Sequence, residues 1–424
     1  MTPSFIEPRE ARLGNGMRVV LAPDPGRAAV GVSIRYDVGS RSESPDRTGL
    51  AHLTEHLMFT GSPGVAAGEH LRLVQSLGGI ANAVTSMDST CYYQIVPAEA
   101  LDLVLWLEAD RLSGLAAALT RASLDVQRGV VKNERRQTLD DTPHGNAREE
   151  IVAELFPAPH PYHHLPLGSM THLDRASLDD VRGFIERHYR PERAVVTITG
   201  GFAPEQALDR LEHHLGWISG GRPARRPRTG PPPPAVRHPV RLDDRTDRPP
   251  RIFIGYPLPA AGTAEFDAAR LAATLLARGT GNRLTRGLVR DRELATDVSF
   301  GIVPLTEGNS LGLVQLVPRR GVAVDRLEAV YFAEIRALAE HPPPEAELAR
   351  AKAQFRAAWL DHLDDLAGRT DELSWHALLR GDAAIVGRTP GRFDAITAED
   401  VARAARSWTM EEPHVVLRCT DGSR

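Results

Sequence analysis

Cysteine is almost missing from this chain. Two residues in 424, Cys91 and Cys419, lie more than three hundred positions apart. That argues against a disulfide framework and is compatible with a reducing compartment. Long apolar runs are missing too, since none reaches the roughly 18 residues of a membrane-spanning helix. The opening Met1-Thr-Pro-Ser-Phe-Ile-Glu-Pro-Arg-Glu lacks a basic stretch followed by an apolar one. No secretory signal or membrane anchor is therefore expected, and the cytoplasm is the expected location. Positive charge is not in excess: 51 Lys and Arg stand against 55 Asp and Glu, for a net charge of −4. No basic field for nucleic acid or an anionic membrane follows from that balance. What is present is ordinary for a globular protein, with 42% apolar and 25% charged residues, which excludes wholesale disorder.

At 424 residues the chain exceeds what one core usually organises, so two domains of about 200 residues are expected. The sharpest change of composition runs from Gly220 to Pro250, with Pro231-Pro-Pro-Pro234 at its centre and arginines from Arg222 to Arg228. A proline-dense stretch cannot feed helix or sheet ladders and tends to be extended. The expected division is 1–220, a connector at 221–250, and 251–424. Both halves open with strand-like runs, Arg18 to Ala22 and Ala29 to Tyr36 in one, Arg251 to Tyr256 in the other. Both close on a helical run and a late β-run: Leu178 to Tyr189 then Ala194 to Thr199, and Ala398 to Trp408 then His414 to Arg418. Two copies of one α+β unit is the economical reading. Between them, Ile80 to Thr85 and Thr90 to Val96 read as strands, and Leu101 to Leu112 and Ser123 to Leu139 as helices.

The most informative segment is Gly49-Leu-Ala-His52-Leu-Thr-Glu55-His56-Leu-Met-Phe59. On a helix, residues four apart lie one turn apart on one face. His52 and His56 can therefore share a metal ion, with Glu55 projecting beside them. This is the inverted zinc-protease pattern H-x-x-E-H. A catalytic zinc site usually takes three protein ligands and keeps one position for water. Glu55 is a poor third ligand, because the chemistry needs a free carboxylate beside that water. Glu134, in Gly129-Val-Val-Lys-Asn-Glu134-Arg-Arg-Gln137, is available for the role.

With these pieces the chain resembles the pitrilysin and mitochondrial-processing-peptidase family of inverted-motif metallopeptidases, over nearly its full length. The matching residues are Gly49-Leu-Ala-His52-Leu-Thr-Glu55-His56, Asn82-Ala-Val-Thr85 and Val130-Val-Lys-Asn-Glu134. The resemblance implies one zinc ion on His52, His56 and Glu134, with Glu55 as general base toward a peptide carbonyl. It implies an edge strand on which Asn82, Ala83 and Thr85 bind an extended peptide. The implied fold is α+β: two related domains, each an antiparallel-rich sheet with helices packed on one face. The implied activity is endopeptidase action on peptides or short unfolded segments held in an enclosed chamber.

Two departures qualify the resemblance. Many members carry a second glutamate seven residues before the third ligand; here Gln127 stands there and is expected to support the site without ligating. Active single-unit members also carry an arginine and a tyrosine seven apart in the second domain, where this chain has Val289 and Thr296. That points to the metal-bearing subunit of a heterodimer, completed by a paralogue carrying the arginine and tyrosine. Maturation of a precursor peptide is a narrower expectation, and a non-catalytic assembly subunit the competing one. His160, His163 and His164 sit among prolines and read as a solvated loop, and Cys91 reads as a small buried residue.

Overall fold

The computed structural model describes residues 7–220, 235–246 and 249–421. In chain order the first half supplies β1 (Arg9–Arg12), β2 (Arg18–Pro23), β3 (Ala29–Tyr36), α1 (Leu50–Leu57), β4 (Ile80–Thr85), β5 (Thr90–Pro97), α2 (Leu101–Ala118), α3 (Arg121–Arg135), α4 (Ala147–Leu155), α5 (Leu178–His188) and β6 (Ala194–Gly200). The second half supplies β7 (Val240–Thr246), β8 (Arg251–Leu258), α6 (Ala264–Ala277), β9 (Ala295–Val303), β10 (Ser310–Pro318), α7 (Val324–Glu340), α8 (Leu366–Trp375), α9 (Ala398–Arg406) and β11 (Val415–Asp421). Further helices lie between them, the longest being Glu345–Asp364.

The strands form two sheets, ordered β1-β2-β6-β3-β5-β4 and β7-β11-β8-β10-β9. From β2 onward the two orders are the same. In each, the first and last strands of a half pair in parallel, β2 with β6 and β7 with β11, and the other ladders beyond them are antiparallel. The α+β class and the internal repeat are therefore both present. The repeat extends to local chemistry. α5 and α9, which precede the closing strands, both start with a capping box, Ser177 with Asp180 and Thr397 with Asp400. Each box satisfies two helix-terminal N–H groups reciprocally.

The chain forms two compact units, and neither is one continuous stretch. The first comprises 1–135, 165–228 and 360–388; the second comprises 136–164, 229–359 and 389–424. A division at 1–220 and 251–424 misses this exchange. In the first unit Val30, Val32, Ile34 and Tyr36 on one side of β3 enter the apolar core with Leu101, Val104 and Leu105 of α2. The other side meets α8 from the second half. A Cβ on Gly31 would lie 2.5 Å from the Thr370 hydroxyl oxygen, and Arg35 Nε donates to Ser374 Oγ at 2.8 Å. In the second unit α4, from the first half, presses on β8 so closely that a Cβ on Gly255 would lie 2.3 Å from Ile151 Cγ2. A helix contributed by the other half of the chain thus packs on each sheet.

Residues 221–234 of the expected connector lie outside the described residues. Val240–Thr246, also assigned to it, forms β7. That run is short and carries two adjacent aspartates and two arginines, so its own pattern does not announce a strand. Its ladder with β11 supplies the pairing.

Candidate metal centre

α1 begins where Gly49 takes a left-handed φ of +96°, a conformation that glycine adopts without strain. A Cβ there would also crowd the Leu167 carbonyl oxygen at 3.2 Å. The Glu43 carboxylate then accepts hydrogen bonds from the Gly49 N–H at 2.8 Å and the Ala51 N–H at 2.7 Å. A helix start leaves its first N–H groups unsatisfied, and an anionic acceptor there is doubly favourable. Glu43 lies six residues before Gly49 and fits no local capping pattern, which is why the sequence alone does not reveal it. Leu50, Leu53 and Leu57 are buried; their spacing fixes the roll of α1 and the direction of the intervening polar residues.

The two imidazoles meet at right angles with ring centroids 4.7 Å apart. α1 packs on α3, which brings up Glu134. Its Oε2 lies 3.8 Å from His52 Nε2 and 3.3 Å from His56 Nε2. Ligands about 2.0 Å from a tetrahedral metal stand ~3.3 Å from one another; the two separations to Glu134 are near that value, and all three donors lie within 4.8 Å of one another. Burial, with the nearby His56 adding to it, pushes the His52 imidazole down to about 4, so its ring is neutral and its lone pair available at neutral pH. His52 Nδ1 is buried with no hydrogen-bond partner. Two imidazoles and a carboxylate form a donor set suited to zinc, and to manganese or cobalt as well. The residues fit the metal.

Glu55 stays out of this donor group. Burial raises its carboxyl above the ordinary value, partly offset by the Thr85 hydroxyl, which donates to Oε2. Thr85 in turn lies 3.4 Å from Thr90 Oγ1, and Thr90 donates to the Val38 carbonyl at 2.9 Å. Thr85 was expected to touch substrate, and the structure puts its hydroxyl on the base instead. Asn82 and Ala83 lie on β4, the outermost strand of its sheet. The Ala83 N–H donates to the Asn82 side-chain oxygen at 2.8 Å. Beside β4 opens a cavity of about 650 Å³ whose lining includes Glu55, His56, Phe59, Leu71, Asn82, Val126 and Gln127. Gln127 reaches this cavity and makes no hydrogen bond to His52, His56 or Glu134. The surface of the cavity, which includes the exposed Val126, is mostly apolar.

Val289 and Thr296 belong to the second unit, Val289 half-buried and Thr296 exposed on β9. β9 is the edge strand that corresponds to β4. His160 is buried, not solvated as expected, and it accepts from the Tyr162 N–H at 3.0 Å. Cys91 is buried.

Comparison with known proteins gives two matches within one family. The model described as "Insulinase (Peptidase family M16)" matches residues 18–159, and that described as "Peptidase M16 inactive domain" matches 175–355. The chain belongs to the peptidase M16 family. An uncharacterised zinc protease of Mycobacterium tuberculosis is 29% identical over 95% of this chain and 90% of its own length. The zinc protease PqqE of Helicobacter pylori is 27% identical over 86% and 83%. The β subunit of the mitochondrial-processing peptidase of Caenorhabditis elegans is 30% identical over 49% of this chain and 44% of its own. Among solved structures, a protease from Helicobacter pylori superposes with a TM-score of 0.90, at 23% identity, over 98% of this chain and 99% of that one. Among the described residues of this M16 member, no helix is long and apolar enough to cross a membrane.

Proposed function

We propose that this chain is a zinc-dependent endopeptidase, with zinc on His52, His56 and Glu134 and Glu55 as general base. The observation that carries the reading is the convergence of three donors beside a fourth group, a carboxylate left free and held by Thr85 at the end of an edge strand. Zinc bound there supplies Lewis-acid polarisation and a water that is nucleophilic at neutral pH. The Thr85 hydroxyl donates to Glu55 Oε2 and fixes the carboxylate, which receives the proton and hands it to the leaving amine. The outer edge of β4 offers main-chain groups to an extended peptide. A peptide carbonyl that takes the Ala83 N–H must first displace the Asn82 side chain from it. Phe59, Leu71 and Val126 supply an apolar wall for a substrate side chain.

Val289 and Thr296, in place of the arginine and tyrosine that self-sufficient members carry, support the role of metal-bearing subunit beside a paralogue that brings that pair. Removal of a leader from a precursor peptide is the substrate class this split arrangement suits. The test is Glu55→Gln in the chain mixed with that paralogue. Zinc by elemental analysis stays at one per chain, while cleavage of an unfolded fluorogenic peptide falls by about 10² or more. The wild-type chain alone shows weak cleavage or none. Less than about half a zinc per chain after gentle purification would favour a non-catalytic assembly subunit. Full cleavage by the lone chain would remove the partner.

A further inference from the structure

Among the described residues a second group of metal-type donors converges, within the second unit and apart from the first site. His144, Asp244 and Cys419 each bring a ligand atom, and these atoms lie within 4.8 Å of one another. Three distant chain segments meet here, which hides the group from any reading of sequence spacing. β7 and β11 run parallel with Asp244 opposite Cys419, and residues opposite each other on neighbouring strands project on the same face. His144 comes from the turn that leads into α4. Gly145 packs this turn so tightly that a Cβ there would lie 2.2 Å from the Leu139 carbonyl oxygen.

The donors border a small cavity of about 130 Å³, which Glu150 of α4 also lines. Cys419 is 1% exposed, and among the described residues no hydrogen bond engages its sulfur. The Asp244 carboxylate is exposed and the His144 ring half-buried, so a buried sulfur donor and two solvent-accessible donors of different chemistry face one small cavity. His144 Nε2 lies 2.8 Å from the Pro249 carbonyl oxygen. A proton donated there fixes the ring and leaves the Nδ1 lone pair uncommitted, which is how ligating histidines are commonly held. Asp244 and Glu150 bring carboxylates to the rim of this cavity. Negative charge dominates the cavity.

We propose that His144, Asp244 and Cys419 hold a second divalent metal ion of the zinc class. Imidazole nitrogen, thiolate sulfur and carboxylate oxygen together suit zinc or cobalt and disfavour magnesium and calcium, which take oxygen alone. On binding, the Cys419 thiol loses its proton to solvent and the sulfur–metal bond forms in its place. The ion staples the turn before α4 to β7 and β11, and so fastens the segment that the first half of the chain contributes to the second unit.

The test uses the full chain with His52→Ala and His56→Ala, so that the first site is silent and its fate does not enter. Cobalt(II) is added under reducing, oxygen-free conditions. One cobalt per chain is expected, with a near-ultraviolet thiolate-to-cobalt charge-transfer band that zinc abolishes by competition. Cys419→Ser removes the band, and Asp244→Asn weakens cobalt binding at least tenfold. Should Cys419→Ser fail to fold, judged by circular dichroism, His144→Gln on the half-exposed turn serves instead, with the same tenfold loss expected. No cobalt bound, binding without the band, a band that survives Cys419→Ser, or undiminished affinity in Asp244→Asn and His144→Gln would overturn the assignment.

Discussion

A carboxylate that must take up and release a proton in each turnover works best when burial has lifted it toward neutrality and one oxygen is left unencumbered. Burial raises the Glu55 carboxyl, and the Thr85 hydroxyl holds its Oε2. If Thr85 acts through Glu55, Thr85→Val lowers kcat about tenfold, the worth of a ~1.5 kcal/mol hydrogen bond to a charged group, and leaves KM nearly unchanged. Thr85→Ser restores the rate. A rise in KM at constant kcat would instead make Thr85 a substrate contact, as the resemblance suggests. His52, Glu55 and His56 were legible in sequence because their geometry is set within one helical turn. Glu134 needed the packing of α3 on α1, and the Thr85 bond depends on where β4 ends. Glu43 was not legible at all, since its carboxylate reaches the helix across a loop.

Elements with strong local chemistry were read well. β3 and β4 have the expected limits, because β-patterning bounded by turn residues is a local signal. β7 was missed because its evidence lies in β11, some 170 residues away. The exchange of α4 and α8 was missed for the same reason: apolar spacing says that a helix buries a face, not against which sheet. One buried element contact carries a sharp expectation. Glu108 of α2, 1% exposed, pairs with Arg111 at 2.5–3.0 Å and accepts from Gln94 of β5 at 2.5 Å. The Arg111 guanidinium stacks 4.3 Å from the Tyr92 ring centre. Glu108→Ala strands a buried guanidinium beneath the sheet that carries β4, at a cost of about 3–5 kcal/mol. A urea midpoint within error of wild type would show that α2 and β5 are held by apolar packing alone.

For the molecule as a whole, the buried histidines tie stability to pH. Burial pushes His70 down to about 3, and His188 and His160 to about 4. The first two lie in one compact unit and His160 in the other, so acid acts on both. The sign follows from linkage. Folded, these rings stay neutral below pH 6.5, while the unfolded chain takes up protons there. Stability is therefore full above about 6.5 and falls as pH drops toward 4 or 3. Each ring costs about 2 kcal/mol between pH 6.5 and 5. Carboxylates behave differently. Asp24, held below its ordinary value by the Arg369 hydrogen bond, keeps its contribution until the pH nears 4. The histidine window is thus separable from ordinary acid unfolding. In chelator-treated protein, so that metal release does not intrude, the urea midpoint should already drop between pH 6.5 and 5. His188 offers the cleanest single check. Among the described residues neither of its ring nitrogens has a hydrogen-bond partner, and its ring lies 4.6 Å from that of Phe184, so an apolar side chain of similar size loses no hydrogen bond seen there. His188→Leu should leave the midpoint at pH 7.5 nearly unchanged and recover part of the loss at pH 5. A midpoint flat from pH 7.5 to 5 in the wild type would mean that the buried rings take up protons without opening the fold.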